Sequence, residues 1–329
     1  MRILVAGAGA WGTALAIAFS AQHAVDLWAR QPADRDALQN DRENRRFLPG
    51  HRFPDGLNIA DDFKVSLSAA DLLLIATPIA GLRATVRLMR EHDLRRPLLW
   101  ACKGLEAGTA VLTHQVVAEE LGVGAVCGAL SGPSFAEELA SGLPTAVTLA
   151  ANDYDFAQQT ALALHSRRFR IYANEDLPGV EVGGAVKNIM AIATGICDGL
   201  GLGMNARAAL LTRGLAEIAR FGVAMGGHPQ TFMGLAGIGD LILTCTGHLS
   251  RNRQVGLALA AGKTLPQILQ ELGHVAEGVS TAREVARLAE RMAIDMPITH
   301  SVDAILHHQE PAAAAVEKLL SRDPKIEAS

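Results

Sequence analysis

Residues 2–16 read RILVAGAGAWGTALA and predict the architecture of the first half of the chain. A short β-rich run, residues 2–6, leads into glycines spaced G-x-G-x-x-G, and a helical pattern follows. In a strand–turn–helix unit of this kind, Gly7 allows the tight turn, Gly9 lets the backbone approach a pyrophosphate, and Gly12 lets the helix pack on the strand. The free N–H groups at the start of the helix then face the phosphates. The stretch therefore predicts a dinucleotide-binding unit.

Short apolar runs continue to alternate with helical patterns as far as Tyr172, which predicts an α/β, Rossmann-type doubly wound sheet. Residues 31–60 are polar and indicate a helix followed by a long loop. We expect strands at residues 2–6, 24–28, 71–77, 98–102, 125–130, 145–150 and 168–172. In such sheets the ligand lies outside the carboxyl ends of the strands. Polar and glycine-rich segments collect at those ends and predict one crevice: residues 7–12, 30, 77–78, 103–104 and 132–134.

The carboxyl end of the second strand bears on the choice of nicotinamide cofactor. An acidic residue there accepts a hydrogen bond from the ribose 2′-hydroxyl, whereas an arginine pairs with a 2′-phosphate. Asp26 comes too early, within the strand, and Arg30 stands at its end. The arginine at this position favours NADPH, but NADH use stays open. It also stays open whether Arg30 only faces solvent.

The second half is organised around GGAVKNIMAIATGICDGLG, residues 183–201, which indicates one long helix that is apolar nearly all round. Helical spacing places Lys187 on one face with Ala191, Thr194 and Asp198. A buried ammonium is costly unless it is paired or used. Two interpretations stay open: a lysine whose stem is buried while its ammonium reaches the surface, or a proton-transfer lysine between two domains.

A possible anion receptor follows later in this half, where strand patterns are absent and helical ones continue. Ser250 fits a helix N-cap, which places Arg251 and Asn252 in the first turn. A helix start with these side chains suits a phosphate group, and an ordinary capped helix with an exposed arginine is the alternative. A glycine-rich break at 234–239 leads to a single carboxylate, Asp240.

Further cap patterns predict where other helices of this half begin. Asn205 is expected as an N-cap, and Thr281 with Glu284 as a capping box. We therefore predict residues 1–178 as the dinucleotide-binding domain and residues 179–329 as an all-helical substrate-binding and catalytic domain.

Composition excludes several classes of function. The chain has 329 residues, 49% hydrophobic and 19% charged, so it can bury a large core and favours two domains. A net charge of −4 without a basic block, and 4% aromatics, argue against nucleic-acid binding. No metal-ligand spacing is found, and the four cysteines fit reduced thiols. Without a signal-peptide pattern, and with charges in the one long apolar helix, we expect a cytoplasmic protein and no membrane insertion.

Several motifs, in order, are similar to those of bacterial-type NAD(P)-dependent glycerol-3-phosphate dehydrogenases. These motifs are GAGAWGTALA (7–16), CKGLE (102–106), SGPSFAEE (131–138), VEVGGAVKNIMAIATGICDGL (180–200), GLAGIGDLILTC (234–245), SRNRQVG (250–256) and EGVSTA (277–282). The resemblance implies an all-α second domain like the C-terminal domain of 6-phosphogluconate dehydrogenase. It also implies interconversion of dihydroxyacetone phosphate and sn-glycerol 3-phosphate with NAD(P)H, in support of glycerophospholipid synthesis.

The resemblance implies roles for individual positions. Lys187 matches the family's active-site lysine, which exchanges a proton with the C2 oxygen of the substrate. The positions that match substrate contacts are Lys103, Gly132, Ser134, Lys187, Asp240, Ser250, Arg251 and Asn252. Besides Gly7, Gly9 and Gly12, the positions that match cofactor contacts are Trp11, Arg30, Lys103, Ala136, Arg251, Val275 and Glu277.

The chemistry of carbonyl reduction is consistent with an ammonium group at the position of Lys187. Charge develops on the carbonyl oxygen as hydride adds, and a nearby ammonium stabilises it and supplies the proton. Burial and a second cation such as Lys103 are expected to lower the pKa of Lys187, whereas pairing with Asp240 would oppose this and orient the amine.

Two other functions remain as alternatives. One is a 6-phosphogluconate or β-hydroxyacid type of dehydrogenase, which often carries G-x-x-x-K-x-x-x-N on the same helix; here position 191 is alanine. The other is a non-catalytic NADP(H) sensor, which does not need Lys187 and Asp240 at the crevice. The apolar helical domain is also compatible with a homodimer, although no heptad pattern indicates one.

Overall fold

The first half of the chain forms an eight-stranded sheet flanked by helices, and the second half is helical. The computed structural model describes residues 1–273 and 276–322. The strands are β1 (Arg2–Ala6), β2 (Ala24–Trp28), β3 (Glu43–Asn44), β4 (Leu48–Arg52), β5 (Leu57–Ile59), β6 (Leu72–Ile75), β7 (Leu98–Trp100), β8 (Cys127–Ser131), β9 (Thr145–Ala151) and β10 (Phe169–Asn174). The helices of the first half are α1 (Ala10–Ser20), α2 (Pro32–Asp41), α3 (Phe63–Ala69), α4 (Ile79–Glu91), α5 (Thr113–Leu121), α6 (Ala136–Ala140) and α7 (Tyr154–Leu164).

The helical half begins with its longest element. Its helices are α8 (Leu177–Gly199), α9 (Gly203–Ala224), α10 (Pro229–Phe232), α11 (Asp240–Thr246), α12 (Arg251–Ala260), α13 (Leu265–Leu272), α14 (Glu277–Arg291), α15 (Pro297–His307) and α16 (Ala312–Leu320), with a π-helical turn at Leu235–Gly239. The predicted α/β sheet followed by an all-α region is confirmed. The predicted domain boundary at 178 falls in the first turn of α8 and stays a prediction.

The sheet has the strand order β10-β9-β8-β7-β6-β1-β2-β5. Six neighbouring strands, from β8 to β5, run parallel, so their carboxyl ends meet at one edge. β9 pairs antiparallel with β8 and β10 runs parallel to β9, a reversal that the strand patterns did not predict. Because β1 lies between β2 and β6, its glycine turn opens onto the middle of the shared edge.

The long loop expected within residues 31–60 is wrong. After α2, the antiparallel pair β3 and β4 forms a small separate sheet, and β5 joins the main sheet beside β2. These strands are two, five and three residues long, and β4 has the sequence LPGHR. Segments this short and polar carry no alternating apolar pattern, so only their tertiary partners make them strands.

α8 is the central helix of the second half. Residues from Val180 to Cys197 are buried throughout, and the helix packs against α9, α11, α12 and α14. Gly195 of α8 and Gly256 of α12 let these two helices approach closely, since a Cβ on either would clash with backbone of the other. Among the described residues, α8 is the one single helix long and apolar enough to cross a membrane, and its qualifying window is wholly buried within the protein.

Two predicted helix starts in this half are wrong. α9 begins at Gly203, before Asn205, and α14 begins at Glu277, so Thr281 lies inside the helix and is buried. Pro297 opens α15, as is common for a proline in a first helical turn. The first turn of α14 is buried or partly buried against neighbouring helices, which extends that helix beyond the cap that the sequence offers, whereas the first turn of α9 is exposed.

The start of α8 is fixed by a residue that the sequence did not single out. Asp176 is buried and accepts hydrogen bonds from Gly179 N at 2.9 Å, His228 N at 2.8 Å and Thr231 Oγ1 at 2.5 Å. It therefore caps α8 and ties that helix to the start of α10.

We expect Asp176→Ala to lower the free energy of unfolding by about 3 kcal/mol, because it removes a cap and leaves buried donors unpaired. Denaturant unfolding measures the loss. The matched control is Asp153→Ala: this exposed residue caps α7 through one bond, to Phe156 N at 3.0 Å, and its loss should cost about 1 kcal/mol. Equal losses in the two variants would contradict the role given to Asp176.

Candidate active site

The turn between β1 and α1 fits a pyrophosphate. Gly7 has φ +120°, and a Cβ there would lie 2.6 Å from the carbonyl carbon of Ala76. A Cβ on Gly12 would clash with the carbonyl oxygen of Gly7. Gly9, by contrast, has no neighbouring atom within 4 Å of that position, and no side chain caps the helix that follows. The backbone N–H groups of the first turn of α1 are thus left free beside open space, as a bound phosphate requires.

Asn44 supports this turn from outside the main sheet. It is buried, and its Nδ2 donates to Ala8 O at 2.9 Å and to Thr13 Oγ1 at 2.8 Å. Its Oδ1 accepts from Phe47 N at 3.1 Å. Every polar group of the amide therefore has a partner, and the glycine turn is held to the β3–β4 segment. Asn44 could not be identified from the sequence, because its partner Ala8 lies 36 residues earlier in the chain.

We expect Asn44→Ala to raise the KM for NAD(P)H about tenfold, the effect of losing buried hydrogen bonds that shape the turn. The KM for the second substrate should change little. Steady-state kinetics with each substrate varied checks this. Asn152→Ala is the control, because the Asn152 amide also bonds two backbone groups, Cys127 N and Ala125 O, but away from the turn. A similar KM in both variants would contradict the assignment.

Lys187 lies in the buried middle of α8 and is 6% exposed. Its Nζ donates to Asp240 Oδ1 in a very short contact and to Thr244 Oγ1 at 2.7 Å. Asp240 and Thr244 are one turn apart on α11, so that helix presents both acceptors to one ammonium. The ammonium is thus held inside the protein, and the interpretation in which it reaches bulk solvent is wrong.

Asp240 also binds a second lysine. Lys103 Nζ donates to Asp240 Oδ2 at 2.6 Å and to Gly132 O at 3.3 Å. Lys103 follows β7 and Gly132 follows β8, so both come from the shared carboxyl edge of the sheet. The fully buried carboxylate of Asp240 therefore joins an ammonium from the sheet to an ammonium from α8.

These contacts set the protonation of the cluster. Burial lowers the pKa of Lys187, the Asp240 carboxylate opposes this, and the positive charge of Lys103 lowers it again, to about 8. Burial alone would raise the pKa of Asp240, but Lys103 and Lys187 outweigh it and hold that pKa below its usual range. An ammonium with a pKa of about 8 can both give and take a proton near neutral pH.

The start of α12 lies beside this cluster. The Ser250 hydroxyl caps the helix by accepting from Arg253 N at 3.3 Å, as the sequence predicts. Asn252 is buried: its Nδ2 donates to Asn188 Oδ1 at 2.9 Å, and its Oδ1 accepts from Gly278 N at 3.0 Å. Asn252 thereby joins α12 to α8 and to α14, and the helix start is held rigidly.

Charges from three elements converge on Glu277, the first residue of α14. Burial raises the pKa of Glu277, and the positive charges of Arg251, Lys103 and Lys187 act against that rise. Arg251 is itself exposed at the helix start. Two carboxylates, Asp240 and Glu277, and three cations are thus gathered where the sheet edge meets the helices.

The family models match both halves of the chain. The N-terminal model of NAD-dependent glycerol-3-phosphate dehydrogenase matches residues 2–157, and the C-terminal model of the same enzyme matches residues 176–317. The chain belongs to this family. The glycerol-3-phosphate dehydrogenase [NAD(P)+] of Dechloromonas aromatica is 63% identical over 327 residues, covering 99% of both chains. The enzyme of the same name from Aromatoleum aromaticum is 61% identical over 328 residues, covering 99% of this chain and 100% of its own.

Comparison with solved structures supports the same family assignment. The crystal structure of glycerol-3-phosphate dehydrogenase from Coxiella burnetii superposes with a TM-score of 0.93 at 44% identity, over 98% of this chain and 99% of that one. D-mandelate dehydrogenase, at a TM-score of 0.62 and 13% identity over 96% and 99% of the two chains, shares the fold alone.

The structure brings some of the predicted site residues of this glycerol-3-phosphate dehydrogenase family member into contact and places others elsewhere. Lys103, Lys187, Asp240 and Gly132 are in direct contact, and Ser134 joins them because its hydroxyl donates to Gly132 O at 3.0 Å. Trp11 and Ala136 pack together with the core beside the glycine turn, and Arg30 is exposed at the carboxyl end of β2. Val275 lies outside the described residues. Thr244 and Asn188, like Asn44, are further contacts that the sequence did not indicate.

Proposed function

We propose that this protein catalyses the reversible NAD(P)H-dependent reduction of dihydroxyacetone phosphate to sn-glycerol 3-phosphate. The observation that carries the proposal is the buried Lys187–Asp240–Lys103 cluster at the carboxyl edge of the sheet, in a chain of this family. A bound nicotinamide supplies the hydride. The residues of the chain must then bind the phosphate-bearing ketone, exclude water and move one proton.

Lys187 acts as the proton donor in reduction and as the acceptor in oxidation. Its position between Asp240 and Thr244 fixes the direction in which the ammonium can offer its remaining N–H. As negative charge develops on the C2 oxygen, this ammonium stabilises it and transfers the proton. A pKa of about 8 makes the neutral amine that remains a competent acceptor for the reverse reaction.

Lys103 and Asp240 set the conditions for that transfer. Asp240 holds the amine of Lys187 in place, and Lys103 keeps the local field positive where the oxyanion forms. The phosphate of the substrate then binds at the start of α12, through Ser250, Arg251, Asn252 and free backbone N–H groups. A receptor remote from the reacting carbon uses binding energy to orient it.

We further propose NADPH as the preferred cofactor, with Arg30 pairing with the 2′-phosphate. Arg30 is exposed at the carboxyl end of β2, where that phosphate is expected. NADH remains a usable cofactor because the glycine turn serves the pyrophosphate of both.

The test is a steady-state assay of NADPH and NADH oxidation upon addition of dihydroxyacetone phosphate. We expect turnover with both cofactors and a higher kcat/KM with NADPH. Oxidation only with 3-hydroxyacid or 6-phosphogluconate substrates would support the alternative dehydrogenase, and cofactor binding without turnover would support a sensor. We also propose that the enzyme supplies glycerophospholipid synthesis, that it is cytoplasmic and that it forms a homodimer. Sedimentation at several protein concentrations tests whether it is a dimer.

A further inference from the structure

A small cavity of about 10 Å³ lies beside Lys103. Its walls come from the ends of β7 and β8, from the segment that carries Lys103, and from the first turns of α8. The register of the sheet brings the lining together: Trp100 lies beside Ala129, so Ser131 projects from the same face two residues further on, and α8 covers that face.

Two buried polar atoms at this cavity have no partner in the protein. They are Trp100 Nε1 and Ser131 Oγ, in residues that are 1% and 5% exposed. Buried polar side-chain atoms almost always have a hydrogen-bond partner. The indole N–H can only donate, so it needs an acceptor, whereas the hydroxyl can do either.

A further polar part of the lining is the carboxylate of Glu181, which lies six residues before Lys187, nearly two turns away on α8. His114 N donates to its Oε1 at 2.9 Å, and the His114 ring lies in a very short contact with its Oε2. Burial raises the pKa of Glu181, and the His114 ring opposes the rise. The Thr113 side chain, which also lines the cavity, hydrogen-bonds the same carboxylate. Each carboxylate oxygen can accept more than one hydrogen bond, so capacity for a further bond remains.

We propose that this cavity binds one water molecule, which accepts from Trp100 Nε1 and donates to Ser131 Oγ and the Glu181 carboxylate, and that this water positions Lys103 in the active site. The volume matches a single water, and three polar partners are the usual number for a buried one. The existence of the water site does not depend on the proposed function, whereas its effect on catalysis rests on that function.

The connection to Lys103 runs through two neighbours of the cavity. Ser131 directly precedes Gly132, whose carbonyl accepts from Lys103 Nζ at 3.3 Å. A Cβ on Gly184 of α8 would lie 2.7 Å from Ser131 Oγ and 3.5 Å from Lys103 Cδ, so this glycine lets α8 close directly over both. Loss of the water frees the Ser131–Gly132 backbone and with it one of the two anchors of Lys103.

The first experiment is a crystal structure of the wild type and of Ser131→Ala at a resolution that shows ordered water. We expect a water peak within hydrogen-bond distance of Trp100 Nε1 and Glu181 in the wild type, and a longer Lys103 Nζ–Gly132 O distance in the variant. An empty cavity, or a direct bond from Trp100 Nε1 to protein, would overturn the proposal.

The second experiment follows kcat/KM against pH for Ser131→Ala. A Lys103 that moves away from Lys187 and Asp240 lowers the pKa of Lys187 less, so the basic limb should move up by about half a pH unit or more. The control is Ser166→Ala, remote in the turn before β10, where the hydroxyl accepts from Phe169 N at 3.0 Å and the limb should stay in place. A purely structural role leaves the limb of both variants unmoved.

Trp100→Phe gives an independent variant, since it keeps an aromatic side chain but removes the five-membered ring that carries the N–H donor, and it should reproduce both results. If it does not, the assignment of the indole N–H as donor is wrong. Should the wild type fail to reduce dihydroxyacetone phosphate, the proposed function falls alone, because the water and the Lys103 distance are read from the electron density.

Discussion

Lys187→Ala should lower kcat for the reduction of dihydroxyacetone phosphate about 10³-fold, the usual contribution of a positioned general acid together with the loss of its charge. The affinity for NADPH should remain near that of the wild type, because the glycine turn and Arg30 lie on the other half of the chain. Stopped-flow or steady-state oxidation of NADPH gives kcat, and fluorescence titration gives the cofactor affinity.

The fold should survive this substitution because Asp240 keeps Lys103 as a partner at 2.6 Å. Lys263→Ala is the matched control, since this lysine pairs with Glu271 at 2.6 Å on the surface, with 45% of its side chain exposed. It should retain full activity. Partial rescue of Lys187→Ala by added methylammonium would identify the missing amine as the functional group, whereas wild-type turnover without it would refute the role of Lys187.

The wild-type pH profile follows from the same residue. With a pKa of about 8 for Lys187 in the free enzyme, kcat/KM for reduction should fall as pH rises through about 8, because the proton donor is lost. The reverse reaction needs the neutral amine and should gain over the same range. Opposite limbs in the two directions distinguish Lys187 from a group that matters only for folding.

Local patterns were sufficient for most of the parallel strands and for the burial of the helix that carries Lys187. Each of these patterns lies within about twenty residues of sequence: the G-x-G-x-x-G turn, a single parallel strand, and the apolar helix around Lys187. The contacts in the structure confirm that these segments form a turn, strands and a buried helix. Asp240 was noted as a lone carboxylate after a glycine-rich break, and the family resemblance made it a site position; in the structure it binds Lys187. The roles of these residues in catalysis stay predictions until the variants are measured.

What the sequence could not predict depends on distant contacts. Asn44 reaches Ala8 across 36 residues, from a two-residue strand with no pattern of its own. The start of α8 at Leu177 depends on Asp176, whose partners His228 and Thr231 lie some fifty residues later. Such positions become visible only when the halves of the chain are brought together, because no local propensity selects them.

Asp240→Asn is expected to destabilise the protein by about 3 kcal/mol at pH 7, because it leaves two ammonium groups beside each other in a buried site. Chemical denaturation at pH 7 measures the loss. Asp41→Asn is the control: Asp41 pairs with the largely exposed Arg45 at 3.5 Å, and removing its charge should change stability by less than about 1 kcal/mol.

The pH dependence of this loss has a definite sign. The pKa of Lys187 is already depressed, to about 8, so its burial costs stability below that pH, and the cost disappears as pH rises toward the unfolded value of 10.5. Without Asp240 the pKa of Lys187 falls further and the cost at pH 7 grows, but at high pH the neutral amine no longer needs the carboxylate. The stability difference between Asp240→Asn and wild type should therefore shrink between pH 7 and pH 10.

The lower pKa of Lys187 in Asp240→Asn should also appear in the pH dependence of its activity. A lower pKa of Lys187 shifts the basic limb of kcat/KM for reduction to lower pH, so the variant should lose most activity at pH 8 and least at pH 6. An unshifted limb with reduced stability would mean that Asp240 holds the two halves together without setting the proton affinity of Lys187. A limb shifted to higher pH would mean that Lys103, released from Asp240, moves away from Lys187 and that its charge dominates the site.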